Sequence, residues 1–378
     1  MAEIVGTRTD TAAGRHDTQA RPRLYGIDGL RFLAALGVML FHYVARESHA
    51  WNHEVPVETF GSLAEPTIYV ALAPELFFVI SGFVILMTAW GRDVPHVVAS
   101  RVARLYPSYW VAVIATSVLL LWLWPEGKNI TVGQAAVNLT MFQALFEVGH
   151  VDGVYWTLWT ELRFYLLIIL FVAIGITRQR LLWVCALWPV AALVATHLGM
   201  SYVAMFLLGG YAPLFAGGML LYIIYRDGSA PVPWLLLAGN VALAVHTIVP
   251  AQMRSLTRNT AYEPSPLILG IGVVLCFALV AAVSLTRLRF LQWPWLVGLG
   301  ALTYPLYLTH QHWGWWFIQQ LSPHLPPAVL LPLTCAVALG AAWLLYHGFE
   351  KHVGPRMRRW LHARLSRTGN GRRRVAVT

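Results

Sequence analysis

Charge is what this chain has least of. Only 12% of its 378 residues are Asp, Glu, Lys or Arg, against 58% hydrophobic, and the mean hydropathy is +0.60. A soluble domain carries about 25% charged residues, so a soluble globular enzyme is excluded. Apolar runs near 20 residues recur along the chain. They define an all-α, polytopic integral membrane protein of about ten transmembrane helices around a polar central cavity. Cysteine is scarce as well. Cys185, Cys276 and Cys335 all sit in apolar runs without ligand-like spacing, which excludes a disulfide framework and a zinc motif. No internal repeat is evident, which weighs against a transporter built from inverted halves. The first 23 residues are polar and basic, with no short apolar core before a small-residue cleavage site, so no cleavable signal peptide is expected.

The expected spans are Leu24–Val44, Thr67–Trp90, Tyr106–Trp124, Tyr155–Ile176, Leu181–Leu198, Tyr202–Tyr225, Val232–Val249, Leu267–Leu285, Trp293–Leu321 and Ala328–Phe349. With the N-terminus inside, twenty-one Lys and Arg fall in inner segments and four (Arg46, Lys128, Arg254, Arg258) in outer ones. That asymmetry places both termini in the cytoplasm. The net charge of +10 is then topology and contact with anionic lipid, not a nucleic-acid footprint. The organisation that follows is a cytoplasmic basic tail (1–23), a membrane domain (24–355) and a basic C-terminal tail (356–378), disordered or interfacial. Two outer loops are long. Ala45–Pro66 is rich in His and Glu, read as solvated with no metal bound. Pro125–Val154 includes a partly amphipathic stretch, Val132–Phe146, suited to the interface.

Ionisable residues inside the spans carry the functional signal. Asp28, Arg31 and His42 lie on one stripe of the first span: eleven steps of about 100° return His42 to within about 20° of Arg31, about 16 Å along the axis. Each such group costs about 2.5–3.5 kcal/mol in a lipid-facing position, so the stripe faces protein or water. Span direction gives each residue a depth. His42 lies near the outer end of the first span, and Glu161 lies about two turns below the outer surface in the fourth. His42 is therefore expected as general base, with Glu161 fixing its tautomer. Glu75 and Ser81 come from the second span. Tyr304, Tyr307 and His310 come from the ninth. Arg101 and Arg104, at i and i+3, share a helix face at the inner mouth and suit phosphate groups. Arg163, two residues from Glu161, faces elsewhere and is expected to snorkel or pair with Glu75.

In order along the chain, several segments resemble membrane-bound acyltransferase family 3, the bacterial O-acyltransferases of surface polysaccharides, nodulation factors and macrolides. They are Ile27-Asp28-Gly29-Leu30-Arg31 with the Arg-x10-His spacing to His42; Phe77-Phe78-Val79-Ile80-Ser81-Gly82-Phe83; Arg101-x-x-Arg104-Leu105-Tyr106-Pro107; Trp156-Thr157-Leu158-Trp159-Thr160-Glu161-x-x-Phe164-Tyr165; Tyr304-Pro305-x-Tyr307-Leu308-x-His310; and Glu350. The resemblance implies transfer of an acyl group, commonly acetyl, from acyl-CoA as co-substrate to a hydroxyl of a glycan or secondary metabolite. It implies no bound cofactor and assigns roles to the Arg-x10-His residues and the inner arginines. The rival expectation is a transporter or flippase for a glycan or antibiotic using the same cavity.

Overall fold

A computed structural model describes residues 23–48, 50–51 and 56–375, with side chains described to residue 367. Among the described residues the regular structure is helical, joined by turns and loops, and no strand occurs. The long helices are α1 (Tyr25–Leu40), α2 (Ala73–Ala89), α3 (Val94–Val118), α4 (Trp156–Ile174), α5 (Arg178–His197), α6 (Ala212–Asp227), α7 (Pro231–Asn259), α8 (Pro266–Leu285), α9 (Pro294–Leu321), α10 (Pro327–Leu345) and α11 (Lys351–Val375). Among the described residues, nine helical segments are long and apolar enough to cross a membrane. α9 falls outside that set because His310, Gln311, His312, Gln319 and Gln320 dilute its apolar character, although its 28 residues exceed the roughly 20 needed.

Local chemistry explains where the helices begin and end. α2, α3 and α6–α10 all carry proline in the first turn, where the missing N–H has no helical partner to lose. Asp93, Thr177 and Ser265 cap α3, α5 and α8 by accepting from backbone N–H groups three residues on. Gly175 and Gly228, both at φ +87°, end α4 and α6, a backbone setting that favours glycine.

α6 is the central pillar, with every residue from Ala212 to Ile224 buried. It meets α2 where Gly82 and Gly218 face each other: a β-carbon on Gly82 would lie 2.2 Å from the Phe215 carbonyl oxygen, and one on Gly218 would lie 2.1 Å from that of Val79. Small residues permit this backbone approach between membrane helices. α5, α7 and α8 surround the pair and turn Trp183, Leu187, Leu235, Leu267 and Ile271 outward, the apolar girdle a hydrocarbon solvent requires. α1 packs on α9, α9 on α10, and α11 on α3.

Three expectations change. The sixth span is not continuous: Ser201–Phe206 is a short helix that stops at Leu208 (φ +66°), and α6 starts after the Gly209-Gly210 pair. The second begins with short turns over Ile68–Leu72 before α2. The C-terminal basic stretch is helical through Val375, running on through Pro355 without a break. Met357, Leu361 and Leu365, four apart and half-buried, give it a packing stripe that the density of arginine obscures. The expected N-terminal tail lies outside the described residues except for Arg23.

Candidate active site

A cavity of about 530 Å³ opens at one end of the bundle, lined by Arg31, Ser81, Arg101, Arg104, Glu161, Tyr165, Tyr304, Glu350, Lys351 and Arg358 among others. A smaller chamber of about 50 Å³ continues from it between Phe77, Phe78, Thr157, Leu158 and Tyr307. Arg31, Ser81, Glu161 and Tyr304 line both and form the neck between them.

Charge is organised around that neck. Glu161 accepts hydrogen bonds from Tyr165 Oη (2.5 Å) and Ser81 Oγ (3.2 Å). Arg31 is near enough to feel the charges of Glu161, Arg104 and Asp28, yet it makes no hydrogen bond with any described residue. Arg104 pairs with Glu350 (2.5 Å), whose second oxygen accepts from Ser108 Oγ (2.8 Å). Its guanidinium also lies 5.5 Å from the Tyr304 ring centre, and Tyr304 Oη donates to the Leu105 carbonyl. Arg101 is held more loosely, by Thr88 Oγ1 (3.1 Å) and over the Tyr165 ring at 5.6 Å. One arginine is thus pinned by a carboxylate, and two others retain free donors toward the cavity. Such a surface suits a polyanion.

His42 occupies a second polar centre. It lies in a π-helical turn, Phe41–Ala45, that extends α1; such turns recur at functional sites. His42 Nδ1 is 2.8 Å from the Val38 carbonyl and 3.4 Å from His310 Nε2. A carbonyl only accepts, so Nδ1 carries the proton. Nε2 is left as an acceptor that bonds to no described residue and is not fully enclosed. His310 Nδ1 donates in turn to the Leu306 and Tyr307 carbonyls (3.1 and 3.0 Å), so its Nε2 accepts from His42. Trp315 Nε1 donates to the His42 carbonyl (2.8 Å), and Tyr43 Oη donates to that of His310 (2.6 Å).

The carboxylate of this second centre is Asp152, from the loop before α4. Its Oδ2 lies 3.0 Å from His312 Nδ1, and both residues are buried. Burial pushes the Asp152 carboxyl up, but His312 beside it and the Val154 amide outweigh that and hold it at about 2. Asp152 also acts electrostatically on His310 and His42.

The structure does not pair Glu161 with His42. Glu161 shares the neck with Arg31, and eleven residues of helix, about 16 Å, separate Arg31 from His42. The sequence depths were too coarse to reveal the offset. Ser81, Arg101, Arg104 and Tyr304 join Arg31 and Glu161 at the basic cavity. Tyr307 links the two centres: it lines the small chamber, bonds Thr157 (2.8 Å) and sets its ring 5.8 Å from that of His310. Two other expected residues stand apart. Asp28 pairs with Arg23 (2.8 Å), and Glu75 accepts from Gln252 (2.7 Å). Arg163 pairs with neither acidic residue; it donates to the Met205 carbonyl and to Thr160 Oγ1. Sequence reasoning missed Asp152 and His312, and placed Lys351 and Arg358 outside the site. Part of the His- and Glu-rich outer loop (His49, His53, Glu54) lies outside the described residues.

A family model, described as an acyltransferase domain, matches residues 24–347. The chain therefore belongs to acyltransferase family 3 and is a multi-pass membrane acyltransferase. No curated protein and no solved structure matches it.

Proposed function

We propose that this acyltransferase moves an acyl group, acetyl first among candidates, from acyl-CoA to a hydroxyl of a glycan or a secondary metabolite such as a macrolide. The basic cavity faces the cytoplasm of a bacterial cell and receives the coenzyme phosphates at Arg101 and Arg104, with Lys351 and Arg358 on the rim. Arg31 and Ser81 guide the acyl-bearing arm through the neck. Their separation from His42 suits this positioning role better than contact with a developing oxyanion. The observation that carries the reading is His42 itself: a buried imidazole with Nδ1 committed to the Val38 carbonyl and Nε2 without a partner among the described residues. Its neighbour His310 is set against Tyr307, which lines the small chamber beyond the cationic cavity.

In the transfer, Nε2 takes the proton of the acceptor hydroxyl as its oxygen attacks the thioester carbonyl. The carbon–sulfur bond then breaks, and the imidazolium returns the proton to the departing thiolate. Asp152 supplies the field that favours the imidazolium, the role first expected of Glu161, while His310 Nε2 accepts from Nδ1–H and helps fix the ring.

The test is purified protein in detergent, given labelled acyl-CoA and candidate hydroxyl acceptors. Label should move to acceptor, and His42→Ala should abolish the movement while the protein stays folded. Label that remains on CoA with every acceptor, alongside acceptor uptake into proteoliposomes, would establish the transporter reading instead.

A further inference from the structure

Away from both polar centres, the first turn of α3 meets the outer part of α11. Asp93, His96 and His362 gather there, with one ligand atom from each all within 4.8 Å of one another. The two imidazole rings lie 5.8 Å apart at 81°, so they are not stacked and both can turn a nitrogen inward. Asp93 uses Oδ1 to cap α3 by accepting from the His96 N–H (3.2 Å). Its other oxygen and all four ring nitrogens make no hydrogen bond with any described residue. Three ligands from two helices are therefore in reach of one point and uncommitted.

We propose that Asp93, His96 and His362 form a transition-metal site that clamps α11 to α3. Two imidazoles and one carboxylate, with water on the exposed side, suit Zn²⁺, Co²⁺, Ni²⁺ or Cu²⁺. The surroundings sharpen that choice. Arg92 and Arg358 act electrostatically on His96, and a helix N-terminus adds further positive potential. A hard cation held mainly by field, such as Mg²⁺ or Ca²⁺, is disfavoured there. An ion that forms strong bonds to neutral imidazole tolerates it.

The clamp has a structural consequence. Lys351, Gly354, Pro355 and Arg358 of α11 line one side of the basic cavity, and Ser100, Arg101 and Arg104 of α3 line another. His362 is one turn beyond Arg358, so a bound ion fixes the width of the cavity mouth. A metal-dependent donor KM follows if the cavity takes the acyl donor as proposed above.

The site is tested on the full chain, purified through a tag without histidine and stripped with EDTA. Co²⁺ is titrated in and followed by its visible d–d absorption, then displaced with Zn²⁺. Because the chain holds 14 histidines, stoichiometry decides: one tight Co²⁺ per chain is expected. His362→Ala and Asp93→Asn should each weaken it by more than about tenfold, the least that even an outer partner of a ligand contributes. Asn retains the capping oxygen and position 362 lies at the surface of a helix, so both variants should fold. His347→Ala, remote from the cluster, should leave the titration unchanged. A wild-type chain without a Co²⁺ spectrum, or a His362→Ala chain binding as tightly as wild type, would overturn the clamp. Binding is read separately from transfer: the expected variant pattern in a chain that moves no label would sink the acyl-donor reading and leave the clamp standing.

Discussion

Gly82→Ala offers the sharpest test of how the fold carries the site. An added β-carbon would sit 2.2 Å from the Phe215 carbonyl oxygen and 3.1 Å from the Gly218 α-carbon. Ordinary contact begins at 3.4 Å, so α2 and α6 must part by more than 1 Å, and the obstacle is backbone that no rotamer change can clear. Overpacking of this kind costs about 1–3 kcal/mol. The gain in helix propensity from glycine to alanine returns only about 0.5–1 kcal/mol, so net destabilisation is expected. The displacement also reaches the chemistry, since Ser81 is the adjacent residue and its 3.2 Å bond to Glu161 does not survive a shift of that size. Thermal unfolding in detergent, followed by tryptophan fluorescence, should show a lower midpoint for Gly82→Ala, with acyl transfer reduced in parallel. Gly218→Ala should behave alike, and the double variant should cost less than the sum, because helices already parted have room for the second methyl. Gly340→Ala in α10 has open space at its β-carbon and should match or slightly exceed wild type. A Gly82→Ala protein with wild-type midpoint and activity would refute the close approach and, with it, the placement of Ser81.

Four other outcomes are expected. His42→Gln, which keeps a polar side chain but no base, should lower kcat by about 10²–10⁴, measured by label transfer with folding verified by size-exclusion chromatography. Arg101→Ala should raise donor KM and leave acceptor KM in place, because its guanidinium faces the cavity without a carboxylate partner; an effect confined to the acceptor would count against phosphate binding. Glu161→Gln keeps an acceptor for Ser81 and Tyr165 but removes a charge beside Arg31, so it too should act on donor KM; a kcat collapse equal to that of His42→Gln would restore Glu161 as the partner of His42. Asp152 is held at about 2 when folded, against about 3.9 in an unfolded chain. Its depressed value contributes about 2–3 kcal/mol above pH ~4, lost as pH falls through 2. Unfolding midpoints across that window should fall less steeply for Asp152→Asn than for wild type.

Much of the fold was legible because the bilayer imposes it. Span length and the scarcity of charge mark the long helices, although α3 begins at Val94, twelve residues before the expected Tyr106, and α7 runs on to Asn259, ten beyond the expected Val249. What failed was local: Leu208 adopts a left-handed backbone inside an apolar run, and no periodicity signals that. At the C-terminus the apolar stripe of Met357, Leu361 and Leu365 was present, but nine basic residues after Tyr346 outweighed it in the reading. In the site, helical geometry puts Arg31 and His42 about 16 Å apart along α1 and its π-helical extension. It could not pair residues between helices, because a span assigned from hydropathy floats by several residues, and at 1.5 Å each that is enough to move Glu161 from one centre to the other. Asp152 was invisible for a different reason. It lies in a loop, where no period assigns a face and no span assigns a depth.

The separation of the two centres constrains any mechanism. Arg31 and His42 stand about 16 Å apart on one continuous helix, more than half of a hydrocarbon core about 30 Å thick. A reaction confined to the neck would leave the His42 centre without work, although it buries three histidines and a carboxylate at considerable desolvation cost. A reaction confined to His42 would leave a guanidinium, Arg31, in the neck without a hydrogen bond. Both costs are explained if a long, anionic-headed donor spans the distance, anchored at the cationic mouth and reacting at the imidazole. The geometry therefore favours a donor whose charge and reactive carbonyl lie far apart on one flexible arm. A compact activated acyl group, such as an acyl phosphate, could not occupy both centres at once, so it should be a poor substrate even at saturating acceptor.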